Sequence, residues 1–406
     1  MLVIFLTVVL DLVGFGLVIP LLTFYAESFH ATAFQVTSLM TCYSVAQFFA
    51  APYWGQASDR FGRRPLLLLS ILMTALMLAG FASAQSLWML FAFRTLHGVM
   101  TANIAIAQAC MADLTTPETR AKGMGLIGAG FGIGFTLGPF LGGELAQYGL
   151  TVPIWVAAGL SFVNFLLGLR YLPETRRPGS KVERRPINPL ALLRAATHPV
   201  VGLCIALTFV FIFAFAEMES TFTLFAKHEH GLKPEEVGRL FGLIGVVGAV
   251  VQGGLIGRLV KRFGEAPLIP PGLLAVALGL ALMPRAALGA PLLATFGCVA
   301  FGQGVVSPAL QSLISRGVGP DEQGEILGSN QSMGALARAF GPIAGGSLFS
   351  VADPPDPNLP PANAAQADAM HFWHAVPFWL SAALLIVAAL LSIPAGRRAT
   401  SRREAG

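Results

Sequence analysis

Four ionisable side chains stand where the surrounding sequence is almost wholly apolar. They are Asp11 in LDLVGFGLVIP, Arg94 in RTLHG, and Glu217 and Glu219 in AEMES. A charge buried among apolar residues is costly, and when a chain keeps one it marks an ion path, a proton relay or a substrate contact. A carboxylate in such a place binds or releases a proton as its solvation and neighbouring charges change. Asp11 and Arg94 are therefore candidates for proton coupling. Glu217 and Glu219 lie two residues apart, roughly 200° around a helix, so only one of them can face a given cavity.

A second charged set lies in short polar segments between apolar runs. GQASDRFGRR supplies Gly55, Asp59, Arg60, Gly62, Arg63 and Arg64, and Asp113 closes a later run. Arginines at such places set the orientation of a membrane chain. The acids Asp59 and Asp113 are not needed for that. Asn103, Gln303 and Gln331 are polar groups inside apolar runs and candidates for a substrate cavity; hydrogen bonding between helices is their other use. His228, His230, His371 and His374 read as polar residues near helix ends, since no cysteine or carboxylate motif accompanies them in the sequence and no metal site is expected.

The elements that must hold these groups are long and apolar. The chain of 406 residues is 55% hydrophobic and only 12% charged. Runs of about 20 apolar residues recur, long enough to cross a bilayer as helices. Twelve are expected, at 2–24, 34–56, 65–84, 87–112, 123–146, 151–171, 199–226, 235–258, 266–284, 290–314, 324–350 and 372–395. The first carries Asp11 and no small-residue cleavage site, so it reads as a spanning helix. Asp11 would lie about 13–14 Å past one end of helix 1, and Arg94 about 10 Å past the opposite end of helix 4, at 1.5 Å per residue. The two would be close enough in depth to pair.

Basic residues concentrate in alternate segments: Arg60 to Arg64, Arg120 and Lys122, Arg170 to Arg194, Arg258 to Arg262, Arg316, and Arg397 to Arg403. Lys227, Lys233 and Arg285 fall in the others. This places both termini in the cytoplasm. It also accounts for the formal charge of +5, so no nucleic-acid partner is expected. The four cysteines, Cys42, Cys110, Cys204 and Cys298, all lie in apolar runs and imply no disulfide framework.

The chain repeats itself. Glycines at Gly125, Gly134, Gly138, Gly142 and Gly143, with Pro139, return as Gly328, Ala337, Gly341, Gly345 and Gly346, with Pro342. The offset is half of 406. Small residues let helix backbones approach closely in a membrane. GRLVKRFGE at 257–265 answers GQASDRFGR at 55–63, with Lys261 in the place of Asp59. The expected organisation is an N-terminal six-helix bundle over 1–172, a cytoplasmic linker over 173–198, a C-terminal six-helix bundle over 199–396 and a polar, disordered tail over 397–406.

These motifs carry a resemblance. GQASDRFGRR resembles the signature loop between helices 2 and 3 of the major facilitator superfamily. The stretch from Gly125 to Gly143 is similar to the helix 5 motif of its antiporters. Asp11 to Pro20 resembles the helix 1 motif of its twelve-helix drug:proton antiporters, and Arg94-x-x-x-Gly98 their helix 4 motif, with His97 where glutamine is usual. ESTF at Glu219 looks like a helix 7 element of the same group, which favours Glu219 over Glu217. Thr23 stands where the helix 1 motif often has a second proline. The look is that of tetracycline-efflux and multidrug transporters.

The resemblance implies an all-α membrane protein of twelve transmembrane helices in two pseudo-symmetric six-helix bundles. It implies secondary active export of a drug-like or amphipathic small molecule in exchange for protons, across the inner or plasma membrane. It also implies that Asp59, Arg63, Arg64 and Asp113 form a charge cluster bridging helices 2, 4 and 11 as a conformational latch, and Asp59 could sit at the positive N-terminus of helix 11. The expected partners are the substrate, protons and the lipid bilayer, with the chain a monomer. No cofactor is expected beyond the proton gradient. The chain has no Gly-x-x-x-x-Gly-Lys-[Ser/Thr] phosphate loop, so ATP is not the expected energy source. A facilitator or proton symporter for a small metabolite is the nearer alternative. A membrane enzyme lacks a nucleophile–base pair in this sequence, and a non-transporting scaffold leaves the charges within helices unused.

Overall fold

The computed structural model describes residues 1–101, 103–175, 199–317, 323–353 and 363–404. Twelve long helices run through these residues, close to the expected boundaries: α1 (Leu2–Glu27), α2 (Ala33–Phe61), α3 (Arg63–Ala82), α4 (Leu87–Asp113), α5 (Pro117–Ala146), α6 (Val152–Tyr171), α7 (Pro199–His230), α8 (Pro234–Phe263), α9 (Ala266–Arg285), α10 (Ala290–Arg316), α11 (Gln323–Phe349) and α12 (Ala364–Glu404). Ten of them are both long and apolar enough to cross a membrane; α2 and α11, richer in polar residues, fall short. Helices are the form such apolar segments must take in lipid, because every backbone N–H and C=O is then satisfied within the segment.

Two departures matter. The run expected to be one helix over 87–112 is two segments, Leu87–Met100 and Asn103–Asp113. Thr101 adopts an extended conformation, φ −111° and ψ 116°, and its hydroxyl donates back to the His97 carbonyl at 2.7 Å. The carbonyls released at the break are taken by side chains. Trp54 Nε1 donates to Val99 O at 2.7 Å and Ser70 Oγ to Met100 O at 3.3 Å. Orphan carbonyls at a helix end need such donors. The second departure is the tail, where α12 continues through Glu404 instead of ending near Pro394.

The chain forms two compact units. Unit 1 comprises Met1–Ala31, Leu39–Ile187 and Leu232–Gly245; unit 2 comprises Thr32–Ser38, Asn188–Gly231 and Val246–Gly406. In unit 1, α5 packs along α1 through its repeated small residues. A Cβ added at Gly138 would stand 2.6 Å from Gly16 Cα and 2.9 Å from Val13 O, so only glycine allows the two backbones this approach. Gly134 and Gly142 meet Leu12 and Leu17 on the same face, while Gly143 meets Gly238 and Gly125 meets nothing. In unit 2, α11 meets α7 in the same manner, with Gly341 against Phe213 O and Gly345 against Glu217. The core beside Asp11 in unit 1 is Ile4, Val8, Leu12, Ile71, Ile106 and Met111.

Candidate functional site

Asp11 lies on the part of α1 that passes the second segment of α4. The group that reaches its carboxylate is the Asn103 side-chain amide, donating to Oδ1 at 2.5 Å. Asn103 also donates to Thr74 Oγ1 on α3 at 3.1 Å, and is itself buried. Three helices therefore meet at one acid. Asn103 can reach it because α4 restarts there, just after the break at Thr101.

The expected partner, Arg94, is held on aromatic rings. Arg94 is 3% exposed, and its guanidinium lies over Tyr43, 4.6 Å from the ring centroid, and Phe15, at 5.7 Å. His97, one turn on, meets Tyr43 edge-on at 5.1 Å. Aromatic faces stabilise a desolvated cation through the ring quadrupole. Arg94 and His97 belong to the first segment of α4 and Asn103 to the second, so the break sorts the cation to one level and the acid's donor to another.

At the end of unit 1 where α2 meets α3, the charged set forms a connected cluster. Arg63 pairs with Asp59 at 2.6 Å and with Asp113 at 3.1 Å, and donates to Ser58 Oγ at 2.7 Å. Thr175 donates to the same Asp113 oxygen at 3.3 Å. Arg64 donates to the Leu169 carbonyl at 2.7 Å. Glu174, which the sequence reading passed over, accepts the backbone N–H groups of Arg63 and Arg64 at 3.0 and 3.2 Å. It thereby supplies the anion that the N-terminus of α3 favours. The signal available for it was the repeat of PETR at 117–120 and 173–176. Gly62 makes room for it: φ is +103°, and a Cβ there would stand 2.7 Å from a Glu174 oxygen. Gly55 meets nothing, and Arg60 lies over Phe61. The expected seat of Asp59 is the N-terminus of helix 11, which begins at Gln323 in unit 2, whereas Asp59 belongs to unit 1.

In unit 2, Glu217 is fully buried, and its carboxylate takes a hydrogen bond from the Ser381 hydroxyl of α12. Its other oxygen has no hydrogen-bond partner among the described residues. Glu219, two residues on, is half-buried. Gln303 is half-buried and Gln331 exposed in unit 2, whereas Asn103 belongs to unit 1 and is engaged with Asp11. The histidines do have carboxylate neighbours. His374, 1% exposed, faces Glu229 through Nδ1 at 2.5 Å and Asp353 through Nε2 at 2.7 Å, and is stacked on Phe349. His371 pairs with the second oxygen of Glu229. These acids come from separate segments, so no local spacing announced them.

A family model described as Major Facilitator Superfamily matches residues 4–342 and, overlapping, 255–405. The chain belongs to the major facilitator superfamily. It is 34% identical to the tetracycline resistance protein, class C, of Escherichia coli over 353 residues, covering 85% of this chain and 88% of that one. It is 31% identical to major facilitator superfamily domain-containing protein 10 of Homo sapiens over 408 residues, covering 86% and 87%. Among solved structures, the human organic anion transporter MFSD10 (TETRAN) matches with a TM-score of 0.66 at 28% identity, covering 95% of this chain and 98% of that one. An inward-facing bacterial homologue of the lysosomal transporter Spinster matches with a TM-score of 0.78 at 16% identity over 98% and 96%, which shows the fold. The protein is therefore a multi-pass membrane transporter of the major facilitator fold. In a superfamily member, the half-buried acid of α1, the caged arginine of α4 and the cluster at the α2–α3 turn become candidate parts of a transport cycle.

Proposed function

We propose that the protein exports an amphipathic or aromatic small molecule in exchange for protons, by alternating access, with both termini cytoplasmic. Asp11 carries or gates the coupled proton, and the cluster of Asp59, Arg63 and Asp113 is a conformational latch. The observation that carries this reading is Asp11 itself. It is a carboxylate in an apolar helix, joined to α4 through Asn103, so a shift of α4 relative to α1 changes its solvation and its donor together. Tetracycline- and multidrug-resistance proteins among the relatives support the drug class.

A second reading of the substrate has its own support. Arg94 is a buried cation between two rings, and one structural neighbour is described as an organic anion transporter. An amphipathic anion is then the cargo. The test is compound-dependent proton movement in proteoliposomes, across a panel of cationic, zwitterionic and anionic amphiphiles. Proton release with the cations or tetracyclines supports the first reading, and movement with the anions alone supports the second. No movement with any class overturns proton coupling.

A further inference from the structure

The loops at 55–63 and 257–265 share a register, and that register sets Asp59 opposite Lys261 and Arg63 opposite Glu265. Lys261 alone reads as the loss of the motif's acid from the second half. The structure shows where an acid went. Glu265 is 7% exposed, pairs with Arg316 at 3.0 Å and accepts from Ser312 Oγ at 3.1 Å. Arg316 is the last residue of α10, as Asp113 is the last of α4. Asp59, Arg63 and Asp113 thus have Lys261, Glu265 and Arg316 as counterparts, with all three signs reversed.

The helix termini give the reversal a physical sense. A helix favours an anion at its N-terminus and a cation at its C-terminus. In unit 2 the signs match: Glu265 immediately precedes Ala266, where α9 begins, and Arg316 ends α10. In unit 1 they do not, because Arg63 begins α3 and Asp113 ends α4. There Glu174 is brought in to supply the missing anion at the start of α3. Unit 2 has its anion in the clasp itself.

We infer that Glu265 and Arg316 form a second clasp, a charge-inverted copy of the Arg63–Asp113 pair, that ties the α8–α9 turn to the end of α10 during transport. The inference rests on the transport reading, and Glu265 acts as a positioning residue, away from substrate. Because Glu265 is nearly buried and the more exposed Arg316 is its cation, removing the arginine leaves the buried carboxylate uncompensated. Restoring opposite signs in exchanged order restores the tie.

The experiment is a charge-exchange cycle on the purified, reconstituted full chain: Glu265→Arg, Arg316→Glu and the double variant. Readouts are transport kinetics for a compound moved in the panel above, and hydrogen exchange of the α8–α9 turn. Each single variant is expected to lower kcat about fivefold at unchanged KM, and to speed exchange at the turn, with the double variant recovering most of both. A double variant no better than the worse single overturns the clasp. So does a cycle in which transport falls through KM alone. If no compound is transported, the transport reading fails, and the exchange arm still decides whether the pair ties the turn.

Discussion

The Asn103 side-chain amide donates to the Asp11 carboxylate across 2.5 Å, linking the second segment of α4 to α1. The same amide donates to Thr74 on α3. Replacing Asn103 removes the donor and leaves two polar groups in an apolar surround. Asn103→Leu is expected to cost about 1–3 kcal/mol of stability and to reduce transport severely. Asn103→Gln, which keeps the amide on a longer arm, should recover part of both. Thermal unfolding in detergent and transport in vesicles measure them; unchanged stability in Asn103→Leu contradicts this role.

The backbone approach of Gly138 and Gly16 sets a contrast within one motif. Gly138→Leu forces α5 away from α1 and is expected to abolish folded yield, whereas Gly125→Ala, at a site with no neighbour, should be near neutral. Size-exclusion profiles of the two variants decide it. Equal profiles would show that the glycines do not set the packing.

The cluster at the α2–α3 turn makes Glu174 a helix cap. Glu174→Gln keeps an acceptor but removes the charge, and is expected to cost about 0.3–1 kcal/mol, less in high salt. Asp113→Asn, which removes one of the two acids on Arg63, is expected to slow transport several-fold with insertion intact. Wild-type transport by Asp113→Asn would remove the latch from the account.

In unit 2, Glu217 and Ser381 form a buried pair between α7 and α12. Ser381→Ala leaves the carboxyl group without that donor, and is expected to destabilise by about 1–3 kcal/mol. Glu217→Gln, which stays neutral and can still accept, should be better tolerated than Glu217→Ala. The order of melting temperatures checks this.

Much of this was legible before the structure. The twelve apolar runs fixed the helices because lipid leaves few alternatives, and the glycine repeat announced that α5 and α11 pack closely on a neighbour, because close approach demands small residues, without naming α1 and α7 as those neighbours. What the sequence hid was pairing across distance. Asp11 and Arg94 looked like partners by depth alone. The break at Thr101 lets the second segment of α4 bring Asn103 to Asp11, and a single β-branched residue in an apolar run does not announce a break. Glu174, Glu265 and the His374 set gain their meaning from partners far along the chain, which periodicity and local spacing do not encode. The seat expected for Asp59 at helix 11 would join residues of two separate units.

The central claim is that Asp11 carries or gates the coupled proton. Proton release from purified protein in weakly buffered solution, on addition of a transported compound, tests it most directly when wild type is set beside Asp11→Asn. The asparagine mimics the protonated acid and has no proton to give. The account predicts release from wild type, and retained compound binding without release from Asp11→Asn. Release of wild-type size from Asp11→Asn would contradict it and move the coupling site to another acid, with Glu219 the next to test.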